Sequence, residues 1–305
     1  MATESPRPFV LPTSSSRPFR PTEPVGHGDR VPTGVPDFDY LTGGLPAGSV
    51  VLLFGSAGAG HQEFALTSSV HLMFRFDNPR LHAFYLGSAK GPFAYPKGVV
   101  YLSTSRSREQ VMGEIRGAFD GLYPAVLDRH LEFLDLSSAY FADTPVPAGW
   151  ASTPSSLLSG APGATAAAEG PLQALAGAIE GIPADQIVIV DSLTDLLVRR
   201  GVEAADVLTL VKGLRRHAKE WGGLVYLILT EGVAPAAVEQ AVLDSVDGVL
   251  HFSWLSSSNH SHRQRAMLIE KFMGVLARLP PEYQGRFVVQ VNTKNGLVTT
   301  QYERI

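Results

Sequence analysis

Residues 55–62 read Gly55, Ser56, Ala57, Gly58, Ala59, Gly60, His61 and Gln62. They follow the apolar run VVLLF and precede a helical pattern. Gly55 and Gly60 have the spacing of a phosphate-binding loop, G-x-x-x-x-G-K-[ST]. Such glycines let consecutive backbone N–H groups converge on an anion, and the start of a helix adds roughly half a positive charge. His61 stands where a lysine would reach the terminal phosphates; it is shorter and mostly uncharged near neutral pH. Gln62 stands where a Ser/Thr hydroxyl would ligate Mg²⁺, and it offers an amide oxygen instead. The loop therefore keeps the anion nest and loses its charge. Taken alone, GSAGAG fits a tight strand-to-helix turn equally well.

A second candidate lies far along the chain. IVIVDS places Asp191 at the C-terminal end of an apolar strand, where ligands bind in open α/β sheets. An Asp there is the usual carboxylate on the Mg²⁺ side of a phosphate-loop site. Its competing role is to cap the following segment together with Ser192. HFSWLSSSNHSHRQR carries His251, His260 and His262 with Arg263 and Arg265. No carboxylate or further close ligand completes a set around NHSH, so no metal centre is expected. The stretch reads as a polar hairpin loop, LRRHAK at 214–219 as a solvated basic face, and Trp221 and Trp254 as packing residues.

The elements that must position these residues are legible as strand–helix repeats. SVVLLFG, GVVYLST, QIVIVDS, GLVYLILTEG and DGVLHFSW read as strands, and LEFLDLSSAYF as a strand and its exit. QEFALTSSVHLMFRF, SREQVMGEIRGAF with Ser107 as N-cap, Leu172–Ile179, VLTLVKGLRRHAKEWGG and AAVEQAVLDSV read as helices, with a short one around Phe38–Leu41. NTKNG predicts a hairpin between FVVQV and LVTTQY. Near-continuous apolar strands alternating with helices imply a largely parallel sheet covered on both faces, with antiparallel strands at the end.

The expected organisation is a Pro-rich disordered tail at 1–30, then one α/β domain at 31–305 with a low-complexity insertion at about 142–171. RPF occurs twice in the tail, at 7–9 and 17–19. The absence of cysteine excludes disulfides and thiolate-bound metals. A net charge of −4 gives no general nucleic-acid footprint. No apolar run approaches the ~18 residues of a membrane span, and the N-terminus lacks the regions of a signal peptide, so a cytoplasmic location is expected.

PTGVPDFDYLTGGLPAGSVVLLFGSAGAG resembles the opening of the KaiC/RadA branch of RecA-type ATPases, T-G-[IV]-x-x-[LF]-D-x-L-x-G-G-[LIF]-x-x-G-[ST] before the phosphate loop. Thr33, Gly34, Val35, Phe38, Asp39, Leu41, Gly43, Gly44, Leu45, Gly48 and Ser49 match. IVIVDSLTDLL resembles that family's Walker B strand, and MLIEKFMG its late strand R-x-L-x-I-x-K-[MLF]-R-G. The resemblance covers roughly residues 31–305 apart from the insertion. It implies a RecA-like fold, ATP with Mg²⁺ as cofactor, a site between subunits, and a Lys271 that reaches the adjoining subunit's nucleotide.

The departures fall on the chemistry. His61 and Gln62 replace the Walker residues. Ser105 and Arg106 fall where the family carries a glutamate pair, with a glutamate polarising the attacking water, and neither is a carboxylate base. Met273 replaces the late arginine. Phosphoryl transfer depends on positioning and charge stabilisation. Loss of these positions implies a non-hydrolysing regulatory or scaffold subunit, as a homo-oligomer or beside an active paralogue. The alternatives are an ATP-binding switch, with phosphates on 55–62 and Asp191 directing Mg²⁺, and a DNA-binding accessory factor using the SSSNHSHRQR loop.

Overall fold

The computed structural model describes residues 30–89, 91–151, 170–256, 263–279 and 284–303. The RPF repeats, most of the 142–171 insertion, and His260 and His262 lie outside the described residues. The chain runs β1 (Arg30–Val31), α1 (Pro36–Thr42), β2 (Leu45–Pro46), β3 (Ser49–Gly55), α2 (His61–Asp77), α3 (Pro79–Leu86), β4 (Val99–Ser103), α4 (Arg108–Ala118), α5 (Leu122–His130), β5 (Leu131–Asp135), α6 (Ser137–Phe141) and α7 (Ala148–Ala151). It continues with α8 (Pro171–Glu180), β6 (Ile187–Asp191), α9 (Leu193–Val198), α10 (Ala204–Trp221), β7 (Leu224–Thr230), α11 (Ala236–Ser245), β8 (Gly248–Ser256), β9 (Arg263–Phe272), α12 (Met273–Leu276), β10 (Arg286–Asn292) and β11 (Gly296–Glu303).

The main sheet has the order β11-β10-β9-β8-β3-β7-β6-β4-β5. Its run from β8 to β5 is parallel, and β9, β10 and β11 add antiparallel pairs at one side. The expected architecture is therefore present. β3, β4, β6 and β7 are buried along almost their whole length, because helices cover both faces and leave no solvated side. Alternate residues feed two cores: Val51 and Leu53 point to the face under α2, and Val50 and Leu52 to the face under α10.

α2 is buried on nearly every side, from Phe64 through Phe74, as expected of a helix that is apolar all round. It lies between the sheet, α3, α5 and β11. Its His71 is fully buried: Nδ1 pairs with Gly34 O at 2.7 Å and Nε2 with Tyr123 Oη at 2.8 Å, and Tyr85 stacks on the ring. Burial lowers the His71 pKa to about 4, so the ring is neutral at pH 7 and takes the tautomer that donates from Nδ1 to the carbonyl.

The T-G…D signature is a packing device. Asp39 is completely buried and accepts from Thr33 N and Gly34 N, and from Thr33 Oγ1 at 2.8 Å. Burial pushes its carboxyl up to about 7, against the pull of those donors and of Arg30. Arg30 in turn donates to the carbonyls of Thr42, Gly43 and Gly44 at the end of α1, supplying partners to groups the helix leaves unpaired. Gly34 has φ +75°, and a Cβ there would lie 2.8 Å from His71 Cβ, so only glycine lets the knot sit on α2.

Several short elements go beyond the sequence expectation. LEFLDLSSAYF is a strand and its exit, as expected: β5 ends at Asp135, whose Oδ1 accepts from Ser137 N at 2.9 Å, and the exit forms α6. α3 and α5 were not anticipated. α3 does carry start and stop signals: Asn78 accepts from Leu81 N, Pro79 opens the helix and Gly87 closes it. α5 is short and contains Pro124. The start of the 142–171 segment is fastened to the body, since Arg199 donates to Tyr140 O at 2.7 Å and Ala142 O at 2.5 Å, and Ser137 Oγ to Ala151 O at 2.9 Å.

Candidate functional site

The loop 55–60 leaves β3 and enters α2 at the C-terminal edge of the parallel strands, where this architecture gathers ligand sites. Its carbonyls are tied from outside. Trp254 Nε1 donates to Ala57 O at 3.2 Å, and Arg265 Nε to Gly58 O at 2.9 Å. The guanidiniums of Arg263 and Arg265 each lie 4.7 Å from the Trp254 ring. Because a trans peptide sets C=O and N–H opposite one another, an outward Ala57 carbonyl turns the Gly58 N–H inward. Ser56 N and Ala59 N bond within the fold, to Phe252 O and Ser56 O. Ser56 Oγ donates to Glu231 Oε2 at 3.0 Å. Gly60 has φ +118°, a conformation that turns the chain into α2 and that L side chains rarely adopt.

His61, the first residue of α2, is 7% exposed, and its Nδ1 is buried without a hydrogen-bond partner. Burial depresses its pKa below the ordinary value against the pull of Asp191, so the ring at the lysine position is neutral at pH 7. A buried, unpaired ring nitrogen beside orphan helix N–H groups is an unsatisfied polar site.

Parallel pairing of β4 with β6 sets Ser103 opposite Asp191 and so carries residues 104–106 to the Asp191 side chain. Asp191 Oδ2 accepts from Arg106 Nη2, Tyr101 Oη and Gln62 Nε2, the last at 3.3 Å. Arg106 also donates to Tyr101 Oη at 3.1 Å, and its Nη1 reaches Glu114 Oε2 at 2.7 Å. Burial lowers the Arg106 pKa, but Tyr101 and Asp191 raise it by more, so the guanidinium is firmly charged. Burial, then Asp191, pushes the Tyr101 phenol well up, so it acts as a donor. Ser105 Oγ and Thr104 Oγ1 donate to Asp195 Oδ2 at 2.7 and 2.6 Å. Ser192 is the N-cap of α9, accepting from Asp195 N, which leaves the Asp191 carboxylate to the cluster.

The structure thus brings together Gln62, Arg106 and Asp191, with His61 beside the loop. Lys271 is elsewhere: its Nζ donates to Leu243 O at 2.9 Å and Asp244 O at 2.6 Å, at the C-terminus of α11 in its own chain, where a cation suits the helix dipole. Met273 is 85% exposed. The sequence reading missed Tyr101, Glu114, Asp195 and the loop-facing role of Trp254. Tyr101 has a signal in hindsight, a phenol inside an apolar strand two residues before its end. In LRRHAK, Arg215 and Lys219 pair with Asp247 at 2.9 and 3.0 Å, and Trp221 packs with its N–H on Ile182 O. Among the described residues no group of His, Asp and Glu side chains could hold a metal ion, and no helix is long and apolar enough to cross a membrane.

The cofactors implied by the resemblance fare differently. Phosphate fits: the Gly58 N–H, the start of α2 and an unpaired His61 Nδ1 can take an acceptor or anion. Mg²⁺ does not. It demands near-octahedral oxygen ligands at about 2.1 Å, and Asp191 Oδ2 is already ringed by a guanidinium, a phenol and an amide.

No family model and no curated protein matches the sequence. Solved structures do match. A KaiC-like protein from the hyperthermophilic archaeon Pyrococcus horikoshii aligns with a TM-score of 0.57 at 16% identity, over 89% of this chain and 99% of that one. The flagellar accessory protein FlaH of Methanocaldococcus jannaschii aligns with a TM-score of 0.54 at 13% identity, over 90% and 100%. The fold is that of a KaiC-like protein. It is a RecA-like α/β fold: a mostly parallel sheet flanked by helices, with antiparallel strands at the C-terminal end. The alignments span nearly the whole of both relatives, so the additions in this chain sit on a complete fold.

Proposed function

We propose that this protein is a non-hydrolysing, RecA-fold regulatory or scaffold subunit that works in an oligomer, in the cytoplasm. The observation that carries the proposal is the chemistry at 105–106. Where the resemblance places a water-polarising carboxylate pair, an alcohol donates to Asp195 and a guanidinium binds Asp191. Neither group accepts a proton from water at neutral pH. The neutral His61 supplies no charge to the phosphoryl group being transferred. Magnesium and ATP are expected to give no phosphate release above the level of an Asp191→Ala variant. Magnesium-dependent turnover that Asp191→Ala abolishes would overturn the proposal. Light scattering on the purified protein tests the oligomer.

A second reading is favoured by the loop itself. Trp254 holds the Ala57 carbonyl, which preorganises the Gly58 N–H for an anion. In this reading the loop still binds nucleotide phosphates without cutting them. Titration calorimetry with ATP tests it, and the absence of heat at millimolar ATP removes it.

A further inference from the structure

The cluster on Asp191 has a property that absent hydrolysis does not explain. Loss of a catalytic base leaves a metal site intact, whereas here the metal's place is filled by a side chain of the chain itself. We infer that Arg106 is the resident cation of this site, and that nucleotide phosphates bind the loop without a divalent metal. The inference rests on the second reading above.

Arg106 Nη2 and Tyr101 Oη share Asp191 Oδ2 with Gln62 Nε2. The Asp191 side chain is 11% exposed and that of Arg106 27%, so the pair is largely withdrawn from water. Removing Arg106 to admit a metal would strip a part-buried guanidinium of its counter-ion, which is strongly unfavourable. Keeping it in place would set a dication against a cation in a low-dielectric site. Gln62, the residue at the position of a hydroxyl ligand, presents its N–H₂ rather than its oxygen to Asp191, so it too acts as a donor where a metal site needs acceptors.

The same geometry suits a metal-free polyphosphate. Two guanidiniums lie at the site, Arg106 on Asp191 and Arg265 on the Gly58 carbonyl, and the N–H donors they have left suit phosphate. With them lies the helix start, where His61 is 7% exposed and its Nδ1 has no partner in the fold. A groove of about 260 Å³ lined by Gln62, Glu63, Glu114 and Phe119 opens on the Gln62 and Glu114 side of the cluster. Free nucleoside triphosphate carries more negative charge than its magnesium complex. A site that brings its own fixed cations favours the free form.

The experiment is a titration of the full chain with ATP, once with excess magnesium and once with EDTA. ATP is expected to bind in EDTA at least as tightly as with magnesium. Binding that is about tenfold tighter with magnesium, or that needs it, overturns the inference and leaves the loop's phosphate reading standing. Absence of binding in both conditions overturns that reading and the inference with it. Arg106→Gln, which frees Asp191, is expected to weaken binding in EDTA about tenfold and to make it responsive to magnesium. Arg106→Lys keeps the charge without the fork and is expected to fall between the two. Manganese relaxation of water protons gives a readout independent of affinity: the wild type with ATP is expected to hold no protein-bound manganese at this site, and Arg106→Gln to acquire it. Protein-bound manganese in the wild type that Asp191→Asn removes also overturns the inference.

Discussion

Cutting the link between Arg106 and Asp191 has a magnitude that follows from the burial of the two groups. Removing one partner of a fully buried ion pair costs about 3–5 kcal/mol, because the other charge is left uncompensated. Here 27% of the Arg106 side chain meets solvent, and Glu114, which is itself largely exposed, offers it a second carboxylate. Asp191 would retain its bonds from Tyr101 and Gln62. Solvent screening and these remaining partners reduce the expected cost of Arg106→Gln or Asp191→Asn to about 2 kcal/mol each. The double variant then has no stranded charge and is expected to lose only about 2 kcal/mol in all, so the coupling energy is about 1.5–2 kcal/mol. Urea unfolding of the four proteins measures it, provided the slope with denaturant is the same in all of them. A coupling below about 0.5 kcal/mol, the scatter of independent sites, would mean that Arg106 does not hold the carboxylate. The account of the filled metal position would then be refuted, whatever the nucleotide titrations gave.

Two further outcomes test the frame around the site. The folded His71 takes up its proton only near pH 4, against 6.5 for an ordinary histidine; between those values the unfolded chain holds the extra proton, so stability falls as pH drops from 6.5 toward 4, by up to ~1.4 kcal/mol per pH unit. The stability of wild type minus that of His71→Gln, followed across this range by urea unfolding, is expected to show that slope, and a flat difference would show that His71 titrates normally. Gly34→Ala forces a side chain to φ +75° and 2.8 Å from His71 Cβ, and is expected to lower stability by about 2–4 kcal/mol; a loss under about 0.5 kcal/mol in the same assay would show that the Thr33–Asp39 knot does not need that close approach.

Much of the scaffold was legible because it depends on local pattern. Apolar runs such as VVLLF and IVIVD specify strands buried on both faces. Ser107 with Gln110 specifies a helix start, and the capping box is present. The glycine spacing at 55–60 and the position of Asp191 at a strand end locate the site at the edge of the sheet. Thr33, Gly34 and Asp39 lie within seven positions of one another, so their knot is already written in the chain. α3 and α5 escaped because they are short and only partly apolar on any one face, and they are helical through packing on α2.

What fills the site was decided by the tertiary structure. Arg106 and Asp191 are 85 residues apart, Trp254 and Ala57 197, and Arg265 and Gly58 207. No local pattern specifies such pairs; they form because the parallel register of β4 on β6 and of β3 on β8 delivers the strand ends to one edge. The sequence by itself determined that the loop runs into His61 and Gln62 and that Ser and Arg stand at 105–106. Only the folded chain could show that the arginine at 106 had gained a role. A charge buried beside Asp191 has to find a partner, and the sheet sets that partner within reach.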